Sequence, residues 1–348
     1  MSQEKGSDLS DLGEFGLIEH LAGNVVIHHS ETIKGIGDDA AVIAASDLQT
    51  VVTTDLLLEG IHFDLTYTPL RHLGYKAVVV NLSDIYAMNA TPKQITVSIG
   101  LSSKFSLQAI DELYEGINAA CEHYNVDLVG GDTTTSLTGL TICITAIGTC
   151  SPEKVVYRNG AKPNQLICVT GDLGAAYMGL QLLEREKLVF AGNPNIQPDL
   201  SGFDYLLQRQ LKPEARKEII EFLNQLNVIP TSMIDVSDGL SSELMHLCKQ
   251  SGTGCRIYED KIPLDPTTIS LGDEMNFNPL MAALNGGEDY ELLFTISLSD
   301  YEKFQGDYPH TIYMIGHMTD AEKGCALITN AGQEIKLTSQ GWANFKPA

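Results

Sequence analysis

Aspartates in this chain stand where small residues meet apolar runs. GIGDDAAVI carries Asp38 and Asp39, VVTTD ends on Asp55, VDLVGGD ends on Asp132, and MIDVSDG holds Asp235 and Asp238. Carboxylates delivered at strand ends through Gly, Ser and Thr can build an all-oxygen site for a hard cation. Asp84 approaches the same chemistry from a helix. Leu73, Ala77, Asn81, Asp84 and Met88 recur on one stripe of PLRHLGYKAVVVNLSDIYAM. Two polar groups on such a stripe are either buried with partners, as in an Asn–Asp pair capping a neighbouring loop, or they face a site.

The donor types narrow the cation. No His or Cys grouping has zinc spacing, and no calcium-binding loop pattern occurs. Mg²⁺ uses one or two carboxylates and completes its octahedron with water and substrate phosphates. This many aspartates therefore implies several ions bridged by a polyphosphate, which makes a nucleotide site. Lysine-based phosphate cradles are missing from the sequence. It has no Gly-Lys dipeptide, no H-R-D loop and no D-F-G triplet, and Ala40 stands where a third glycine would follow Gly35 and Gly37. Those two glycines read as turn-makers that present Asp39 as a ligand and Asp38 as its support.

Positioning these groups requires alternating strands and helices. A short amphipathic helix is expected at 9–22, and strands at 40–45 and 50–58. A long helix should open after Pro69 and run to about Met88. Strand 94–101, helix 106–124, strand 126–129 and strand 140–148 complete the first half. The segment 151–165 breaks the periodicity with charges, glycine and two prolines. The expected division is therefore residues 1–150 and residues 151–348. Beyond it come strand 165–170, helix 173–186, a Pro/Asn-rich loop at 191–201, helices 202–210 and 213–227, strand 232–236 and helix 239–250. The class is α/β (α+β).

A chain of 348 residues with 43% apolar and 19% charged residues has material for about two cores. Its net charge of −23 and pI near 4.6 argue against nucleic-acid and anionic-membrane partners, which need a basic face. Seven cysteines are scattered singly without any C-x-x-C, no apolar run spans a bilayer, and MSQEKGSDLS lacks an apolar signal core. Reduced thiols and a cytoplasmic location are expected.

GIGDDAAVI, VVTTDLLLEGIHF, KAVVVNLSDIYAMNATP, VGGDTT, RNGAKPNQ, IDVSDGL and NGGEDYELLF occur in the order found in thiamine-monophosphate kinases. The chain resembles that family, within the aminoimidazole-ribonucleotide-synthetase-like superfamily, from about residue 10 to Trp342. The resemblance implies ATP-dependent phosphorylation of thiamine monophosphate to thiamine diphosphate. It implies a homodimer in which two N-terminal mixed sheets pair into one barrel, beside a C-terminal layered α/β sandwich. Carried over by motif, the magnesium shell would be Asp39, Thr53, Thr54, Asp55, Asp84, Asp132, Asp235 and Asp238, with Asp55, Asp84 and Asp132 the most sensitive. ATP contacts would be Tyr114, Gly131, Asp132, Arg158 and Ser237. Substrate contacts would be His62, Glu288 and Trp342.

The chemistry expected of such a site is direct in-line transfer, because no activated nucleophile stands in the motifs and the acceptor phosphate is already ionised. Three alternatives use the same residues: another ATP-using member of the superfamily, a metal-dependent phosphatase, and a non-catalytic nucleotide sensor.

Overall fold

β-Branched runs and helical stripes assemble into two mixed sheets, one from each half of the chain. A computed structural model describes residues 29–193, 197–304 and 311–338. The helix expected at 9–22 and Trp342 lie outside the described residues. The first sheet contains β1 (Thr32–Lys34), β2 (Ala41–Ala45), β3 (Leu48–Leu58), β4 (Thr91–Leu101), β5 (Asp127–Thr135) and β6 (Thr141–Cys150), in the order β1-β2-β3-β6-β4-β5. All its pairs are antiparallel except β4 with β5. Helix α1 (Leu70–Ala87) connects β3 to β4, and α2 (Leu107–Tyr124) makes the crossover between the parallel strands.

The second sheet holds β7 (Leu166–Thr170), β8 (Ser232–Asp235), β9 (Thr253–Tyr258), β10 (Leu292–Ile296), β11 (Ile312–Asp320), β12 (Cys325–Ile328) and β13 (Glu334–Lys336), ordered β13-β12-β9-β11-β7-β10-β8. Its longer helices are α3 (Ala175–Gly192), α4 (Asp204–Leu211), α5 (Lys217–Gln225), α6 (Leu240–Ser251), α7 (Pro266–Met275) and α8 (Pro279–Asn285). The α/β class is as expected.

Strand β3 reaches Leu58 opposite Thr141, as expected, so Asp55 is internal to it. Strand β5 runs further than the expected 126–129, pairing with β4 as far as Thr135, so Asp132 is internal as well. Gly131 makes that continuation possible, because a Cβ there would strike the Val97 carbonyl. Helix α3 likewise continues to Gly192, into the segment expected as loop.

Helix α1 is the element on which the site depends. Residues 73–83 are buried without interruption, so it is enclosed on all sides rather than amphipathic. It packs on the first sheet and also on β8 of the second, and one apolar core spans both. Its buried Lys76, Asn81 and Ser83 are each held by a partner. Asn81 donates to the Ala77 carbonyl, Ser83 to Asp235, and Lys76 to the Gln210 carbonyl.

Gly74 and Gly116 let α1 and α2 meet backbone to backbone. A Cβ at Gly116 would collide with the Arg71 carbonyl, and one at Gly74 with the Leu113 carbonyl. Gly116→Ala raises helix propensity by about 1 kcal/mol, yet overpacking costs about 1–3 kcal/mol. The expected outcome in urea unfolding is a lower midpoint at unchanged m-value. A variant as stable as the parent would show that the close approach is dispensable.

Candidate active site

Three segments converge on one cluster of carboxylates. Asp39 arrives from the turn before β2, Asp84 from α1 and Asp235 from the end of β8, and their oxygens lie within 4.8 Å of one another. At an effective dielectric constant of 20, each ionised pair at that separation repels by about 3.5 kcal/mol. Hydrogen-bond donors are built around the cluster. Thr53 Oγ1 donates to Asp84 at 2.6 Å and Ser83 Oγ to Asp235 at 2.6 Å. The Arg158 guanidinium forks onto Asp39, Nε at 3.0 Å and Nη2 at 2.8 Å.

Burial and the neighbouring carboxylates push these acids upward. Burial raises Asp84 well above the carboxylate range, followed by repulsion from Asp55, Asp235 and Asp39. Burial, then Asp39, lifts Asp235 to about 8. Burial alone lifts Asp55 to about 6. Asp38 lies beside Asp39 in the same turn and accepts the Asp39 amide at 3.2 Å. It accepts from the Arg158 amide at 3.1 Å, meets Lys34 at 3.5 Å, and is raised to about 6 by burial and then by Asp39. The turn itself is tied to α6, where Gln250 Nε2 donates to the Gly37 carbonyl.

Alternation along β3 splits the TTD triplet. Thr53 and Asp55 face inward, and the Asp55 amide donates to Asn81 Oδ1 at 3.0 Å. Thr54 faces outward and bonds the Ile144 carbonyl, so its hydroxyl is directed away from the cluster. Asp55, Asp84, Asp235 and Ser237 line a cavity of about 130 Å³, closed on another side by His62 and Glu288.

His62 and Glu288 also line a larger cavity of about 390 Å³. Glu288 sits in the left-handed region at φ 59°, held by Lys76 Nζ at 3.0 Å and Gln210 Nε2 at 2.8 Å. Leu58 N donates to His62 Nδ1, which puts the ring proton on Nε2. Tyr67 donates to Glu184, and Lys187 pairs with Asp64, on the outer wall.

Two backbone segments are sewn together at the junction. Glu288 N donates to the Ser237 carbonyl, Tyr290 N to Val236 and Val236 N to Glu291. The amides of Ser237 and Asp238 donate to Glu243 Oε1, so α6 orients that turn. Within GEDYE each acid has its own task. Asp289 accepts the Gly174 amide ahead of α3. Burial would raise Glu291, but Arg216 and Arg209 outweigh it and hold this carboxylate low.

Tyr114 packs on the core from α2, apart from the acids. Gly131 and Asp132 lie on exposed edge strand β5, three strands from β3, about 14 Å at ordinary strand spacing. The register also puts Asp132 on the outer face with Thr54 and Leu56, opposite Asp55. Asp238 stands beside the cavity as part of the turn held by Glu243.

Sequence reasoning passed over Lys76, Gln210 and Glu243. Lys76 had a readable signal, as the one charge in the apolar run 73–82. Gln210 and Glu243 had none, because their partners are 78 and five residues away.

Known proteins carry the same organisation. The family model for AIR synthase related protein, N-terminal domain, matches residues 37–150. Thiamine-monophosphate kinase of Bacillus subtilis is 33% identical over 339 residues, covering 96% of this chain and 100% of that protein. A structure of AaThiL complexed with AMPPCP and TMP matches at a TM-score of 0.83 and 30% identity, over 98% of this chain and 100% of that one. Thiamine monophosphate kinase from Aquifex aeolicus matches at 0.76 and 28% identity, over 95% and 100%.

The raised acids set a pH dependence. Asp84 and Asp235 keep protons in the folded state that the unfolded chain loses near pH 4, so their contribution to folding stability is fully present below that pH and is lost as pH rises towards about 8. Thermal unfolding of the metal-free chain should show this decline, and Asp235→Asn should flatten it. Added Mg²⁺ should raise the melting temperature more at pH 8 than at pH 5; equal gains would contradict the ionisation scheme.

Proposed function

This chain belongs to the thiamine-monophosphate kinase family, and we propose that it transfers the γ-phosphoryl group of ATP directly to thiamine monophosphate, giving thiamine diphosphate and ADP. The observation that carries the reading is the junction of the two cavities. His62 and Glu288 line both, with the carboxylate cluster on the smaller and room for a substrate in the larger.

The donor set fits magnesium. Asp39, Asp84 and Asp235 are hard oxygen donors close enough to share cations, and their mutual repulsion is what bound cations would relieve. Asp55 would complete the set from β3. Bound magnesium supplies the positive charge that lets two phosphate anions approach each other.

The chain's own residues position the reactants. Thr53, Ser83 and Asn81 hold the acids and the β3 backbone in place from α1 and β3. Arg158, already forked onto a carboxylate, has the geometry for a phosphate. In the larger cavity Asp64, Glu184 and Glu288 favour the thiazolium cation, and Glu288 is held rigid enough by Lys76 and Gln210 to orient the aminopyrimidine. Ser237 and Asp238 present their turn to the nucleotide side. In this division residues 1–150 supply most of the metal and nucleotide groups, while residues 151–348 contribute Arg158, Asp235, Ser237 and the Glu288 wall.

A homodimer belongs to the same reading. Ile43 and Leu56 expose apolar side chains on the outer face of the first sheet. A second copy packed there would bury them and bring Thr54, Gly131 and Asp132 into an interface. A cytoplasmic setting suits an ATP-using enzyme whose seven cysteines are free. Among the described residues no helix is long and apolar enough to cross a membrane.

Incubation with ATP, Mg²⁺ and thiamine monophosphate should yield thiamine diphosphate and ADP. Inorganic phosphate alone would indicate a phosphatase, and no turnover a sensor. Asp84→Asn should lower kcat on the order of 100-fold or more, about 2.7 kcal/mol of barrier. Label from [γ-³²P]ATP recovered on denatured protein would overturn direct transfer.

A further inference from the structure

Cysteines scattered through the sequence meet in the second half of the fold. Cys248 lies near the end of α6, which turns at Gly252 (φ 64°) straight into β9, where Cys255 sits. Strand β12 pairs in parallel with β9 and places Cys325 opposite Cys255. The three Sγ atoms lie within 4.8 Å of one another. Cys248 and Cys255 are buried and Cys325 is partly exposed, so the set has a closed back and an open front.

We propose that Cys248, Cys255 and Cys325 form a binding site for one soft, thiophilic cation of the Zn²⁺ or Cu⁺ class, separate from the carboxylate site. Three sulfurs each about 2.3 Å from one ion stand about 4 Å apart, which the observed separation accommodates. A disulfide would use two of the sulfurs and leave the third without a task, whereas all three converge here. Loading would release the protons of the coordinating thiols to solvent.

Hard and soft ligands keep the two sites apart. The carboxylate cluster offers only oxygen, and the thiols select soft metals. Asp235 on β8 and Cys255 on β9 are four strands apart in the sheet order, about 19 Å. They are nevertheless linked through α6. Glu243 near its start holds the Ser237–Asp238 turn, and Gln250 near its end holds Gly37. An ion on Cys248 would clamp this helix to β9 and β12.

The test uses the full chain, reduced with a phosphine and stripped of metal by a chelator. Titration with Co²⁺ should give sulfur-to-cobalt charge-transfer absorption that saturates at one equivalent, and Zn²⁺ should displace it and raise the melting temperature. Cys325→Ser should weaken Zn²⁺ binding, read against a colorimetric chelator, by about 100-fold or more and abolish the thermal shift. Cys248→Ala should also remove the absorption, and Cys121→Ala should keep it. Circular dichroism and retained kinase turnover would show that the variants are folded. Absence of the absorption in the parent, or its persistence in Cys325→Ser, would overturn the proposal. So would peptide mapping that finds a Cys248–Cys255 disulfide with no metal uptake after reduction.

Discussion

Repulsion among Asp39, Asp84 and Asp235 is the constraint around which the molecule is arranged. Three carboxylates within 4.8 Å of one another cannot all be ionised without positive charge close by. The chain supplies only part of it, through Arg158 on Asp39 and Lys34 on Asp38. Protons retained by Asp84 and Asp235 make up part of the remainder. Such a cluster is stored electrostatic strain, which a polyvalent cation bound there, as proposed, would relieve.

Holding the strain needs a rigid frame, and α1 provides it. Because the helix is enclosed by both sheets, Asn81, Ser83 and Asp84 have few alternatives to their observed partners. The glycine contact with α2 fixes its depth. From the other half, β8 delivers Asp235, while Arg209 and Arg216 hold Glu291 just before the neighbouring strand β10. Acids in GEDYE that look alike in the sequence thus divide into one cavity wall, one helix anchor and one ion-pair centre.

The site was partly legible because strand-end chemistry is local. Glycine turns, β-branched runs and an Asn–Asp stripe marked Asp39, Asp55, Asp84 and Asp235, and the helix after Pro69 begins at Leu70 as expected. Legibility failed where pairing overrides composition. The DTTT stretch continues β5 because the ladder with β4 reaches that far, so Asp132 is an internal position. Alternation then sends Thr54 and Asp132 to the outer face, which no motif spelling reveals.

By itself the sequence determined the α/β class and which oxygen-bearing residues stand beside the apolar runs, because these follow from residue types and short-range periodicity. Tertiary structure alone decided which carboxylates meet. It also decided that Lys76 and Gln210 hold Glu288, and that the sulfurs of three singly spaced cysteines lie within 4.8 Å of one another. Those outcomes depend on contacts between residues as far as 213 positions apart, as in the Gln250–Gly37 hydrogen bond. Only packing of the two sheets about α1 sets such distances, and local pattern carries no record of them.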